Sequence, residues 1–340
     1  MLDLLQQVKA DLQKALEVEL FTLPPYLTAL YSIHENTNLE GQHIIQSVAM
    51  EEMLHIILVA NVMNAIGAKP CLYTGVDKHY YPAKIPHIAT KHDLVELLPF
   101  SIAAITKFMD IEEPDFDASK DPNPDYPDTI GEFYEGIKRA LIRLCPDIST
   151  EKKVFSGKPS LQIGPDHHYY GAGGKTIVVH NLATALEALE EIAEQGEGRK
   201  DVSNLSGNKA KFGQPKEPAH YYRFQQLIAE RKFVEDGNID LGPKGQKIEI
   251  DYNRVFPMQS NPTSKNVPKK AAIAFEHCYS RLLENLEGGL NGKNEALSAA
   301  IIDMHALRHH VVNLMRTPKI NSSKTLGAPF WFVGKVSYEQ

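Results

Sequence analysis

Cysteines, basic clusters and long apolar runs are all scarce in this sequence. Its three cysteines, Cys71, Cys145 and Cys278, are odd in number and far apart, which argues against a disulfide framework and against a cysteine metal site. Asp and Glu (43) outnumber Lys and Arg (36), the net charge is −7, and no dense basic run occurs. Nucleic acid and anionic membranes are therefore not expected as partners.

The sequence also lacks the features of a membrane span or an export signal. Its apolar runs are too short, and too often interrupted by charge, to cross a bilayer. The opening MLDLLQQVKADLQKALEVEL is amphipathic and acidic, without the basic start, apolar middle and cleavage site of a signal peptide. A cytoplasmic location is expected. With 43% hydrophobic and 23% charged residues, the composition is that of a soluble globular protein with a substantial core.

Helical periodicity is the strongest pattern that is present. Apolar residues recur at intervals of three and four in segments at about 3–34, 41–67, 181–198 and 217–233. The turn-rich NTNLEGQ joins the first two segments, which are predicted to form an antiparallel hairpin. The pattern therefore predicts a mainly α protein built on a four-helix bundle.

The segment between the second and third of these helices, residues 68–175, is rich in proline and glycine. It is interpreted as a long crossover insertion containing two short helical pieces, LVELLPFSIAAITKF and IGEFYEGIKRALIRL. Two extra C-terminal helices are predicted at about 268–288 and 294–315. Residues 1–340 are expected to form a single domain.

Two Glu-x-x-His motifs, Glu52/His55 and Glu217/His220, are the most informative features of the chain. On a helix, positions i and i+3 lie one above the other, so each motif can bind an ion from a single face. One such motif is common by chance, but its repetition, each time after a helix that can supply another glutamate, indicates a metal site.

The helix before each motif offers that additional ligand. Glu19 lies on the apolar face of the first helix, whereas Glu17 points about 200° away from it at about 100° per residue. In the third helix Glu197, Glu194 and Glu190 are all candidates. Glu197 is preferred because it lies level with the start of the next helix, and Glu194 is second.

Together these helices bring four carboxylates and two imidazoles to one place. The predicted metal ligands are Glu19, Glu52, His55, Glu197, Glu217 and His220. Burying several carboxylates together without cations costs many kcal/mol or forces them to take up protons. Two divalent ions offset four such charges, and oxygen and imidazole ligands suit iron or manganese. The sequence thus predicts two irons, with manganese as the other choice, in the bundle core.

The segment LFTLPPYL places two prolines inside the first helix, just after Glu19. They either produce a plain kink or widen the helix beside the metal, making room for substrate or dioxygen. Tyr26, one heptad beyond Glu19, should face the same interior and is the candidate catalytic residue, although a buried tyrosine does not need such a role. Glu51 is interpreted as a neighbour of the ligands or as a solvated residue.

A resemblance to a known family covers most of the chain. It is carried by LEVELFTLPPYLTALYSI, MEEMLHIILVANVMNAIGAKP, LLPFSIAAITKFMDIEEP, TIGEFYEGI, IAEQGEG, EPAHYYRF and the terminal GAPFWF. These segments resemble the ferritin-like family named for iminophenyl-pyruvate dimer synthase. The resemblance implies a ferritin-like bundle with the ligand set given above. Family members that couple two tryptophan-derived imines in the violacein and indolocarbazole pathways are much longer than this chain.

The ligand set and the resemblance lead to two functional hypotheses. The first is an oxidoreductase that uses dioxygen or peroxide to oxidise a small organic substrate, such as an amino-acid-derived imine of secondary metabolism. The insertion would then form walls or a lid for the substrate cavity. The alternative is a metal-binding or metal-free accessory protein with an inherited ligand set. A homo-oligomer is compatible with both.

Overall fold

The computed structural model describes residues 2–73, 81–89, 94–114, 127–166, 174–196, 218–234 and 241–333. The described helices are α1 (Leu2–Ser32), α2 (Leu39–Ala65), α3 (Ile102–Ile111), α4 (Ile130–Leu144), α5 (Ile148–Val154), α6 (Leu182–Gly196), α7 (His220–Ala229), α8 (Lys269–Leu290) and α9 (Asn294–Arg316). Over these ranges β pairing is limited to isolated bridges, such as that between Ile33 and Val255. The prediction of a mainly α fold is confirmed.

The two longest N-terminal helices, α1 and α2, form an antiparallel hairpin. Lys9 near the start of α1 donates to the Gly67 carbonyl just beyond α2 (3.2 Å), whereas Thr22 further along α1 donates to Glu52 in the middle of α2 (2.7 Å). Leu12 of α1 is fully buried, as the helical spacing predicts. Burying one such side chain contributes about 1.5–3 kcal/mol, so the apolar interface holds the hairpin together.

Helix α2 is unusually apolar for a helix of this length. Of the helices in the described ranges, it alone has the length and composition to cross a membrane, but 72% of its apolar window is buried inside the protein. The same buried face carries Glu51, Glu52 and His55. These features are typical of the central helix of a bundle.

Pro24 and Pro25 lie inside α1 without ending it. Because proline has no N–H, Pro25 leaves the carbonyl of Phe21, four residues earlier, without its helical partner. The hydroxyl of Tyr81 donates to that carbonyl (2.6 Å), and its ring stacks on Phe21 with centroids 5.0 Å apart. The prolines therefore create a point at which the insertion attaches to the first helix.

The insertion contributes helices to the bundle interior. Ser101 caps α3, where its Oγ accepts the N–H of Ala104 (3.2 Å), and α3 packs on α7. Thr129 caps α4 in the same way through the N–H of Glu132 (3.1 Å), and α4 packs on both α1 and α6. The insertion is expected to form walls or a lid of a substrate cavity, and its helices α3 and α4 also pack against helices of the bundle.

Of the two remaining bundle helices, α6 begins where the sequence predicts and α7 is shorter than predicted. Helix α6 begins after Asn181, whose Oδ1 accepts the N–H of Thr184 (2.9 Å) as an N-cap does. Helix α7 spans only His220–Ala229, compared with the predicted 217–233, and it ends where Glu230 adopts a left-handed backbone conformation (φ 50°).

Helices α8 and α9 form a second hairpin, and α9 packs against α1. The chain that follows α9 runs along α8. There Phe330 packs edge-on against Phe275 and Tyr279, with centroids 5.0 and 5.3 Å away, and the N–H of Val333 donates to Ser280 (3.0 Å).

Candidate metal centre

Glu19 of α1 and Glu52 and His55 of α2 converge in the bundle core. The Nδ1 atom of His55 lies 3.1 Å from Glu19 Oε2 and 3.7 Å from Glu52 Oε1. All three side chains are buried, and their potential ligand atoms lie within 4.8 Å of one another. This group can hold one metal ion.

Glu52, Glu112 and His220 form a second group that meets the same distance criterion. The Nδ1 atom of His220 lies 3.0 Å from Glu52 Oε1 and 3.5 Å from Glu112 Oε2. The rings of His55 and His220 are stacked, with centroids 5.6 Å apart. Because Glu52 belongs to both groups, its carboxylate can bridge two ions, and the groups form one centre of three carboxylates and two imidazoles.

Each of the three carboxylates accepts a hydrogen bond from one buried hydroxyl group. The donor and acceptor pairs are Thr22 with Glu52 (2.7 Å), Tyr26 with Glu112 (2.5 Å) and Tyr134 with Glu19. In each pair the hydroxyl occupies one carboxylate oxygen, and the other oxygen faces a histidine Nδ1. The hydroxyls therefore orient the carboxylates and leave one oxygen of each directed at the centre.

Both histidines present Nδ1 to the centre because Nε2 is held from behind. Gln195 Oε1 lies 2.9 Å from Nε2 of His55, and the Gln195 amide nitrogen donates to Glu191 (2.9 Å). Glu51 Oε2 lies 2.8 Å from Nε2 of His220. Since both partners accept hydrogen bonds at these atoms, we infer that each ring carries its proton on Nε2 when Nδ1 binds an ion.

The Nδ1 atom of His220 is buried yet forms no hydrogen bond of good geometry with the described part of the chain. Buried polar atoms nearly always have such a partner. A divalent cation between Nδ1, Glu52 and Glu112 would use the nitrogen lone pair. Oxygen and imidazole donors match the preferences of iron and manganese, so the residues present fit such ions.

Burial opposes the ionisation of the carboxylates in the centre. It raises the pKa of Glu19 to about 7, although the hydrogen bond from Tyr134 acts in the opposite direction. Burial, together with the charges of Glu112 and Glu19, raises the pKa of Glu52 to about 7. Burial would also raise the pKa of Glu112, but the neighbouring His220 lowers it. Closely spaced carboxylates therefore need protons or cations to offset their charge.

The two histidines have different electrostatic surroundings. Burial lowers the pKa of His55. Burial would lower that of His220 as well, but Glu112 and Glu51 raise it well above the ordinary value. Burial would raise the pKa of Glu51, but the guanidinium of Arg223, 2.7 Å away, lowers it to about 2. Glu51 is therefore an anion balanced by Arg223, and it is not solvated, being 3% exposed.

Four of the six predicted ligands meet in this centre, namely Glu19, Glu52, His55 and His220. Glu197 and Glu217 lie outside the described residues. Tyr26 faces the interior, and its hydrogen-bond partner is Glu112. Glu17 faces away from the centre and pairs with His87 (2.7 Å), as its position on the helix predicts.

Glu190, an alternative ligand from the third helix, is directed elsewhere because its carboxylate pairs with Lys138 of α4 (2.8 Å). Glu194 is partly exposed and belongs to neither of the two ligand groups found among the described residues. The α6 side chain that reaches the centre is Gln195, 2% exposed. At its described end, the third helix thus offers the centre an amide.

Sequence reasoning missed Glu112, which directly follows α3. The insertion is expected to form walls or a lid of the substrate cavity, so its acidic residues are not among the predicted ligands. A signal was nevertheless present, because Glu112 lies four residues after the buried Phe108 and next to the buried Ile111. It therefore continues the apolar face of an amphipathic helix.

Comparisons with known proteins agree with the helical fold. A family model described as ferritin-like matches residues 12–229. The chain is 23% identical over 327 residues to dichlorochromopyrrolate synthase of Lentzea aerocolonigenes. This alignment covers 83% of this chain and 29% of that protein. It is 25% identical over 228 residues to 2-imino-3-(indol-3-yl)propanoate dimerase of Chromobacterium violaceum, covering 56% of this chain and 21% of that protein. The chain thus spans less than a third of the length of these relatives.

A solved structure shows the same fold. The crystal structure of a ferritin-like protein from Caulobacter vibrioides aligns with a TM-score of 0.62 at 21% sequence identity, covering 90% of this chain and 94% of that one. The likeness extends over nearly the whole of both chains.

Proposed function

The chain belongs to the ferritin-like family, and from that premise we propose that it is a di-iron or di-manganese carboxylate oxidoreductase. It would use dioxygen or peroxide to oxidise a small organic substrate. The observation that carries this proposal is the position of Glu52 in both ligand groups. Each ion would have Glu52, one further carboxylate and one histidine, and three protein donors leave positions open for other ligands.

In this arrangement Glu19 and His55 would hold one ion, Glu112 and His220 would hold the other, and Glu52 could contribute to both. Glu197 and Glu217 stay predicted ligands. Iron or manganese bound there would supply the redox chemistry by which dioxygen or peroxide is reduced.

The residues around the ligands keep water out and fix the donors. Tyr26, Phe108 and Phe224 form a buried aromatic cluster beside Glu112, with ring centroids 4.7 to 5.5 Å apart. In such a dry site, fixed charges and dipoles act more strongly than in water. The Tyr26 hydroxyl, which touches Glu112 Oε1, can hold or donate a proton at that atom, and Tyr26 therefore stays the candidate catalytic residue.

The names of the relatives bear on the substrate class, and the state of the cysteines bears on the location. The names of the two relatives describe a synthase of dichlorochromopyrrolate and a dimerase of an indolyl imino acid. We propose an amino-acid-derived imine, or a similar small molecule, as the substrate here. All three cysteines are free, which supports a reducing cytoplasm as the location.

One observation favours a second candidate function. Gln195, an amide, is the α6 side chain that contacts His55. A neutral amide behind a ligand histidine supports metal binding less than a carboxylate does, and this favours a metal-binding accessory protein without redox activity as the alternative.

Metal analysis tests the site. Protein expressed with iron, or reconstituted with ferrous iron without oxygen, should contain about two ions per chain, and the double variant Glu52→Ala/His220→Ala should retain far fewer. Glu190→Gln is a matched control, because this carboxylate on α6 pairs with Lys138 outside the centre. Failure of the parent protein to bind metal after reconstitution would contradict the proposed function.

Oxygen consumption separates the two candidate functions. The reduced, iron-loaded parent should consume dioxygen, measured with an oxygen electrode, whereas the double variant should not. Two bound ions without oxygen or peroxide consumption would favour the accessory role.

A further inference from the structure

The two ligand groups are alike in composition but differ behind their histidines. Each has one carboxylate of its own, the shared Glu52 and a histidine that presents Nδ1. Nε2 of His55 meets the neutral amide oxygen of Gln195 (2.9 Å), whereas Nε2 of His220 meets the carboxylate of Glu51 (2.8 Å). This difference is fixed by the surrounding side chains.

Glu51 is held in place by a buried arginine. Arg223 is 1% exposed, and its guanidinium donates to Glu51 Oε2 (2.7 Å), to Ser47 Oγ (3.0 Å) and to the Pro218 carbonyl (2.5 Å). A buried ion pair costs desolvation energy that its own attraction repays only with good geometry. Here the rigid guanidinium fork points the carboxylate at His220, so both residues position a ligand and do not bind metal themselves.

Gln195 is oriented by a different neighbour. Its amide nitrogen donates to Glu191 Oε1 (2.9 Å), and this contact directs the amide oxygen at His55. The acceptor behind His55 is therefore a neutral oxygen, which is a weaker acceptor than an ionised one.

We propose that Glu51, held by Arg223, and Gln195 make the two metal positions unequal, so that the ion at His220 and Glu112 binds before the ion at His55 and Glu19. This rests on the proposed function, because it needs a two-ion centre. A carboxylate behind a ligand histidine makes the ring a stronger donor, and loss of such a partner typically costs about 10- to 100-fold in metal affinity. Arg223 offsets part of the charge of Glu51, but the acceptor at His220 is still an ionised oxygen.

Cobalt(II) is a suitable probe, because its visible absorption reports each binding step and calorimetry gives the two affinities. Titration of the chelator-treated full chain should show two steps, separated by about 10- to 100-fold in dissociation constant. Two equal steps would overturn this inference and leave the two-ion site standing. Failure to bind cobalt at all would overturn both proposals.

Single-site variants assign the steps. Glu19→Gln removes a ligand from the His55 side and should keep the tighter step, whereas Glu112→Gln should keep the weaker one. The reverse assignment would overturn the inference. Melting curves followed by circular dichroism show whether each variant is folded.

Exchanging the partners behind the histidines gives the most direct test. Glu51→Gln should weaken the tighter step by about 10- to 100-fold and leave the other nearly unchanged. The double variant Glu191→Gln/Gln195→Glu exchanges the amide and the carboxylate on α6. The hydrogen bond between the two side chains can still form, with residue 191 now donating and residue 195 accepting, and the net charge is unchanged. It should strengthen the weaker step, and this gain does not depend on Glu51→Gln being folded.

Glu190→Gln is the control, because this α6 carboxylate pairs with Lys138 outside the centre, and it should bind both ions with the affinities of the parent. If the double variant leaves the weaker step unchanged, the acceptor behind His55 does not set its affinity, and the inference is wrong.

Discussion

Raising the pH should destabilise the chelator-treated protein, and bound metal should reverse the effect. Burial raises the pKa of Glu19 and of Glu52 from an ordinary value of 4.5 to about 7. Between these two values the unfolded chain releases protons that the folded chain retains, so stability falls as pH rises. Below pH 4.5 the contribution of these groups is fully present, and above about pH 7 it is lost.

The size of the effect follows from the shifts. Each is about 2.5 pKa units, and one unit corresponds to about 1.4 kcal/mol, so each carboxyl contributes about 3 kcal/mol. The two groups interact and titrate as a pair, and the total is expected to lie between about 3 and 7 kcal/mol. For a chain of this size we expect the melting temperature to fall by roughly 4–10 °C from pH 5 to pH 8.

Other groups in the centre act in different pH ranges. The lowered pKa values of Glu51 and Glu112 give stability that is present above pH 4.5 and is lost at more acidic pH. The lowered pKa of His55 likewise lowers stability as the pH falls below 6.5, because the folded state disfavours protonation of this ring. The raised pKa of His220 adds to the loss above pH 6.5.

The assay is calorimetric melting of chelator-treated protein at pH 5, 6, 7 and 8, with and without added manganese(II). Glu52→Gln cannot ionise at this position, so its melting temperature should fall less steeply with pH than that of the parent. Manganese should raise the parent melting temperature more at pH 8 than at pH 5, because metal and protons compete for the same carboxylates. Equal pH profiles for parent and variant would refute the reasoning.

Two further predictions concern ligand sharing and the attachment of the insertion. Because Glu52 belongs to both ligand groups, Glu52→Gln should lose both ions in metal analysis, whereas Glu112→Gln should lose one; retention of two ions by Glu52→Gln would exclude a bridging role. Tyr81→Phe should lower the free energy of unfolding by about 1–3 kcal/mol in urea titrations, because it removes the buried hydrogen bond from the Tyr81 hydroxyl to the Phe21 carbonyl. Adding Pro25→Ala should recover part of that loss, since the new N–H lies four residues after Phe21; equal losses in the single and double variants would contradict this account.

The hairpin of α1 and α2 and its ligands could be predicted because they depend on local rules. A short loop makes the two helices antiparallel, and helical spacing then places Glu19, Glu52 and His55 on facing surfaces. Glu112 and Tyr134 depend instead on how a long insertion crosses the bundle, and periodicity does not determine that path.

In the third helix the predicted ligands omit one buried side chain. The buried face of α6 is formed by residues at helical spacing, namely Ala185, Ala188, Leu189, Ile192 and Gln195. Gln195 continues this apolar stripe by one turn and could have been recognised from the sequence. The predicted metal ligands of this helix are all glutamates, so they do not include the amide of Gln195. One of the alternatives, Glu190, lies off the buried stripe.

Charge balance indicates what the described centre still needs. Glu19, Glu52 and Glu112 carry three negative charges when ionised, because Glu51 is balanced by Arg223. Two divalent ions bring four positive charges, so one more anion is required for neutrality in a buried site. A predicted ligand outside the described residues, Glu197 or Glu217, can supply it, and so can hydroxide or an acidic substrate. If a glutamate supplies it, its change to glutamine weakens metal binding in the absence of substrate; if the substrate supplies it, adding an imino or amino acid tightens metal binding in the parent.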